Sequence, residues 1–231
     1  MFAMILAAGR GERMRPLTDA IPKPLLEAGG KPLIVWQIEA LARAGWRDLV
    51  INIAHHADQF VARLGDGAAL GVDIHWSREP QPLEAAGGIA TALPLLPDGP
   101  VLVVSGDVWT RYDYSSLRAR LRGLTRAPHP AAHLVMVPNP RYHAQGDFAL
   151  RGERLVLGEE PRHTFGNIAL YHTALFAELP KGTKLKMLPL YERWINAGIA
   201  TGELYDGPWA NVGTPADLAA LNAYLGTQRQ A

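Results

Sequence analysis

Four cations crowd one short stretch, LAAGRGERMRPLTDAIPKPL at residues 6–25, where Arg10, Arg13, Arg15 and Lys23 accompany Gly9 and Gly11. Glycine adopts backbone angles closed to other residues and lets main-chain N–H groups approach an anion. Arginine forks grip phosphate oxygens in pairs, and lysine supplies a movable point charge. The stretch therefore reads as a cradle for several phosphates. A dinucleotide fingerprint needs a third glycine where Met14 stands and a helix immediately after, which Pro16 and the turn-like PLTDAIPKP oppose. The same charges also suit a solvated loop, the usual fate of a charge run.

Two further segments bear chemistry. VLVVSGDVW ends an apolar run in Asp107, a carboxylate placed to hold Mg²⁺ against substrate phosphates or merely to cap a turn. PLEAAGGIATAL sets Gly87 and Gly88 at the start of an apolar helix, where they either admit a flat base against the backbone or ease helix packing. Zinc is disfavoured. His55 and His56 point apart if on a strand, and His129 and His133 flank Pro130 in a loop. Trp36, Trp194 and Trp209 read as packing residues, and Tyr142 and His143 as either pocket-lining or exposed.

These residues need a frame. Short apolar runs, FAMILAA, DLVINIA (48–54), VDIHWS (72–77) and VLVVSG (101–106), alternate with helical periods, clearest at 33–44 where Ile34, Ile38 and Leu41 share one face. That order predicts an α/β fold, a Rossmann-like mixed, mainly parallel sheet flanked by helices. Beyond residue 107 the runs at 133–138, 146–150, 154–158 and 167–172 predict antiparallel or mixed pairing, followed by helices around 174–179, 186–197 and 215–225. Ligands of open α/β sheets lie beyond the carboxyl ends of the strands, which selects the loops after Ala8 and Ser105 and the turn after the third strand.

With 231 residues and 48% hydrophobic content the chain can bury one core, so a single domain is expected, its nucleotide-binding half at about 1–110 and its acceptor half at about 111–231. The absence of cysteine fits a reducing compartment, by default the cytoplasm. Net charge +1 gives no argument for nucleic acid, and no apolar run reaches the ~20 residues of a membrane helix. MFAMILAA lacks the basic start of a signal peptide and reads as a buried strand. A monomer or weak homo-oligomer is expected.

Together these segments resemble the sugar-phosphate nucleotidyltransferase family, whose G-x-G-x-R-[LM]-x-P-L-T and P-K-P-L stand here as GRGERMRPLT and PKPL. The resemblance continues through LEAAGGI, SGD and WANVGTP. GDVWTRYD and NPRYHAQGDF look most like the short uridylyltransferases that act on N-acetylmuramate 1-phosphate in cell-wall recycling. It implies a GT-A-like fold without the C-terminal β-helix of many relatives, Mg²⁺ as cofactor, and an NTP, UTP by this likeness, plus a sugar 1-phosphate as substrates. Mannose or heptose 1-phosphate with GTP, and phosphocholine with CTP, are alternative pairings, and a non-catalytic nucleotide sensor is a rival.

Carried over by position, Ala8, Gly9, Gly11 and Glu12 would cradle the nucleotide, Arg13 and Lys23 would contact its phosphates, and Gly87 would touch the base. Asp107 would bind Mg²⁺, and Asn139, Gly146 and Asp147 would lie near the sugar. Three departures stand out. Asn211 in WANVGT replaces a common second metal aspartate, Glu160 in EEP replaces a common lysine for which Lys186 or Arg162 are candidates, and Ala85 and Ala86 offer a base no side-chain hydrogen bond.

Overall fold

The structure, a computed structural model, describes residues 1–228. Among the described residues, nine strands form one mixed sheet: β1 (Phe2–Leu6), β2 (Asp48–Ile53), β3 (Asp73–Arg78), β4 (Pro100–Ser105), β5 (Ala132–Val137), β6 (Phe148–Arg151), β7 (Arg154–Val156), β8 (Arg162–His172) and β9 (Ala200–Leu204). Their order is β3-β2-β1-β4-β8-β5-β9-β7-β6. The first four are parallel neighbours, β8 runs against both β4 and β5, and β9 runs with β5. The α/β reading and the change of pairing after residue 107 both hold.

Helices α1 (Leu33–Arg43), α2 (Ala57–Leu64), α3 (Glu84–Ala92), α4 (Leu117–Arg126), α5 (Leu188–Asn196) and α6 (Pro215–Gln228) complete the fold. Strand side chains alternate between faces. Ala3, Ile5, Leu102 and Val104 therefore meet Ile34, Ile38 and Leu41 of α1 on one face, while Met4, Val101 and Val103 meet Ile89 of α3 and Trp194 of α5 on the other. Burial on both faces explains the continuous apolar runs, each fully buried Leu or Ile contributing about 1.5–3 kcal/mol. A third, smaller core joins Met14, Leu26, Leu33, Trp109 and Val212 to Leu221 and Leu225 of α6, so the last helix braces the segment that follows the glycine loop.

Four elements differ from the sequence expectation. The helix predicted at 174–179 is one 3₁₀ turn, Thr173–Phe176, tied down by Thr173, which bonds the Gly99 backbone in both directions. β8 begins five residues before the run at 167, because Arg162 and His163 pair with Ala149 and Phe148 ahead of a register shift. β9, reading ATGEL, and the two-stranded ladder of Val108–Thr110 with Trp209–Asn211 were not anticipated. Both lack an extended apolar run.

Candidate active site

β1 ends at Leu6 and the chain turns through residues 7–11. Gly11 sits at φ 64°, and a Cβ there would lie 2.9 Å from Lys23 Cβ and 3.0 Å from Thr18 Cγ2. Only glycine lets residues 18–23 fold back this closely. The Thr18 hydroxyl donates to the Gly11 carbonyl at 2.9 Å, and buried Met14 anchors the next turn. A cleft of about 830 Å³ results, lined among others by Ala8, Gly9, Gly11, Glu12, Arg13, Lys23 and Asp107. Seven of the predicted residues thus converge at the carboxyl ends of β1 and β4. Arg10 joins the lining, and neither it nor Arg13 forms an ion pair among the described residues. Arg15 pairs outside with Asp19 at 3.2 Å.

Asp107 forms a salt bridge with Lys23, both side chains largely shielded. The Val212 N–H donates to the Asp107 carbonyl at 3.0 Å, extending the short ladder and bringing Asn211 and Gly213 beside the cleft. The Arg13 guanidinium lies over this backbone, 3.4 Å from where a Cβ on Gly213 would stand, an ordinary van der Waals distance. Asp217 fixes that backbone by accepting from the N–H groups of Gly213 and Thr214 at 3.1 and 2.8 Å, while its own N–H donates to the Thr214 hydroxyl at 3.2 Å. This reciprocal cap starts α6.

Among the described residues, no three His, Cys, Asp or Glu gather as a metal cluster. Asp107 and Asn211 offer hard oxygens of the kind Mg²⁺ takes when substrate phosphates complete its shell. Asn211 Oδ1 is buried without a hydrogen-bond partner among the described residues, as befits an atom kept for a ligand. The Asn211 amide instead engages the Tyr142 hydroxyl, whose pKa burial and the Asp217 charge raise while Asn211 and Arg13 hold it down.

Ala7 and Asn52 in the cleft lining belong to a buried polar chain that the sequence reading missed. Asn52 Oδ1 accepts from the Ala7 N–H at 2.8 Å, Asn52 Nδ2 donates to Glu79 Oε1 at 2.7 Å, and Glu79 Oε2 accepts from the Leu83 N–H at 3.0 Å. Burial raises the Glu79 pKa against these two stabilising bonds. An asparagine inside the apolar run DLVINIA was the available signal. Gly88 makes room for this chain, since a Cβ there would stand 2.7 Å from Asn52 Nδ2. Gly87, expected at the base, is outside the lining; its Cβ position is filled by the Thr183 carbonyl, 2.1 Å away. The far end of the cleft is instead lined by Gln81, Pro82, Glu84, Ala85 and Lys184. Glu84 has φ 60°, which costs an L-residue about 1–2 kcal/mol.

Asn139, Gly146 and Asp147 lie outside this lining and knit the 139–147 loop to β8. Asn139 donates to the Arg162 carbonyl at 2.9 Å and accepts from Thr164 at 2.9 Å, and Asp147 accepts from the Phe165 N–H at 2.7 Å and pairs with His143 at 3.0 Å. Gly146, at φ 62°, lets Asn139 and Arg162 approach within 3 Å of its Cβ position. The loop borders a second cavity of about 440 Å³, walled by Trp109, Pro138, Tyr142, Trp209 and Tyr224 and including Asn211. Of the candidate cations, Arg162 is engaged with Glu160 at 2.9 Å, while Lys184, unnoticed in the sequence, lines the first cleft.

The profile of the Nucleotidyl transferase family matches residues 2–141. The chain is 43% identical to the N-acetylmuramate alpha-1-phosphate uridylyltransferase of Neisseria meningitidis, over 98% of this chain and 99% of that one. The enzyme of the same name from Caulobacter vibrioides is 33% identical, over 96% of each. In fold, it superposes on HddC from Yersinia pseudotuberculosis with a TM-score of 0.79, covering 96% of this chain and 98% of that one at 16% identity.

Proposed function

Because the chain belongs to the nucleotidyl transferase family, we propose that it transfers the uridylyl group of UTP to N-acetylmuramate 1-phosphate, releasing pyrophosphate, in cell-wall recycling. The observation that supports this most is the single cleft joining the glycine cradle, Arg10 and Arg13, and the Lys23–Asp107 pair. The nucleophile, a phosphate oxygen of the sugar 1-phosphate, is already an anion, so in-line attack on the α-phosphorus asks little proton transfer of the protein. The barrier lies in bringing polyanions together and stabilising charge on the transferring group.

The backbone of residues 8–12 binds the triphosphate, Arg13 orients the departing pyrophosphate, and Lys23 neutralises charge as it develops. Asp107 and Asn211 would hold Mg²⁺, which supplies Lewis-acid stabilisation of the phosphoryl oxygens when bound. Lys23 must leave Asp107 partly free for that, so its charge shifts from the carboxylate to the substrate. Asn139, Gly146 and Asp147 support the acceptor side by holding the loop that carries Tyr142. All these groups come from one chain, so a monomer suffices, and the cytoplasm supplies the UTP that this activity requires.

Pyrophosphate release, measured across NTPs and sugar 1-phosphates, tests the pairing. Asp107→Ala is expected to lower turnover roughly 10³-fold while leaving the fold intact. Near-normal release from that variant removes the assignment, and UTP binding without turnover on any acceptor favours a nucleotide sensor.

A further inference from the structure

Resting on the reading of the cleft as a nucleoside triphosphate site, we propose that Glu84 and Lys184 together read the base, selecting the lactam edge, an N–H beside a C=O, found on uracil, thymine and guanine. The cleft runs from the phosphate cradle to these two side chains, so the end they occupy is where a triphosphate's base must lie. Glu84 keeps a left-handed backbone that glycine would adopt without strain. A carboxylate maintained there against its own conformational preference, lining the cleft, is unexplained by packing.

The frame around the pair is rigid. Residues 183–185 cross the start of α3, with the Leu185 N–H donating to the Leu83 carbonyl at 2.9 Å and the Ala86 N–H donating to the Leu185 carbonyl at 3.1 Å. Gly87 allows the crossing, because the Thr183 carbonyl fills its Cβ position. This crossing delivers Lys184 to the cleft, its Nζ 3.8 Å from Glu84 Oε1. That distance exceeds a hydrogen bond, so each group retains free capacity for a ligand.

A carboxylate only accepts and an ammonium only donates. A lactam N–H donates to Glu84 while the neighbouring carbonyl accepts from Lys184. In the same pose cytosine and adenine turn a ring-nitrogen lone pair to the carboxylate and an amino group to the ammonium, so both contacts become repulsive. The two side chains, Lys184 66% and Glu84 41% exposed, are shielded from water by a base lying on them, and the polar mismatch of a wrong base then becomes costly.

The test compares kcat/KM for UTP, TTP and CTP in the wild type, Glu84→Gln and Lys184→Met, with one sugar 1-phosphate that the wild type accepts. The wild type is expected to prefer UTP to CTP by about 10²-fold or more. In Glu84→Gln the amide can present either donor or acceptor, so UTP use falls about tenfold and the UTP:CTP ratio falls by a similar factor. Lys184→Met also lowers the ratio. The UTP-induced rise in melting temperature reads the same loss in binding. A ratio unchanged in both variants, or a wild type that uses CTP as readily as UTP, overturns the base reading while leaving the transferase assignment intact. A wild type that releases pyrophosphate from no NTP overturns the assignment itself.

Discussion

The two sides of the ladder between 108–110 and 209–211 meet different surroundings. Asp107 opens into a cleft rich in charge, where Lys23 already compensates it and Arg13 stands near. Asn211 borders a cavity walled by Trp109, Trp209, Tyr224 and prolines, with Asp217 as its acid. Charge is thus concentrated on the side that has a resident cation. A second carboxylate at 211 would be shielded from water, close to Asp217, and without a partner lysine. A neutral amide keeps an oxygen ligand there while avoiding the unpaired buried charge.

Lys23→Met attacks the compensated side. It is expected to lower kcat by about 10²-fold, yet to tighten binding of Mn²⁺ alone, since Lys23 no longer competes for Asp107; calorimetric titration of the nucleotide-free protein reads the second effect. Weaker Mn²⁺ binding in this variant would mean that Lys23 organises Asp107 rather than competing for it. Asn211→Asp makes the two sides alike. Divalent-ion affinity should rise about tenfold, and the metal-free protein should lose roughly 1–2 kcal/mol, a fall of several degrees in melting temperature.

A control lies away from both cavities. His133, fully buried, bonds Glu203 at 3.2 Å, and Tyr112 donates to the same carboxylate. The hydrogen bond from His133, with that from Tyr112, holds the Glu203 pKa below its ordinary 4.5. A carboxyl with a lowered folded-state pKa stabilises above the unfolded value and loses that contribution as pH falls through the folded one. Stability measured by denaturant should therefore decline below about pH 4.5, less steeply in Glu203→Gln, with no change in divalent-ion affinity.

The same contrast governs what could be read from sequence. In the parallel half, site residues follow directly after buried strands, so the glycine loop, Lys23 and Asp107 were legible from local pattern and from the length of the GRGERMRPLT and PKPL motifs. Asn52 and Lys184 were not, because they reach the cleft through contacts distant in sequence, and neither was Glu79, which bonds Asn52 without lining the cleft. Gly87 and Gly88 were noticed as a pair, but only coordinates separate them: one clears a crossing backbone, the other a buried hydrogen bond. Tyr142, left between pocket and surface, lines the second cavity and meets Asn211. Glu84 gave no signal at all, since a left-handed glutamate looks like any other in a string of letters.

The chain of bonds from Ala7 through Asn52 and Glu79 to Leu83 has a metrical meaning. It is a gauge block of fixed length set between the phosphate end and the far end of the cleft. Because its links are buried, neither end can drift toward a shorter ligand. A guest must span the whole gauge to touch both ends, which makes molecular length itself a criterion of admission.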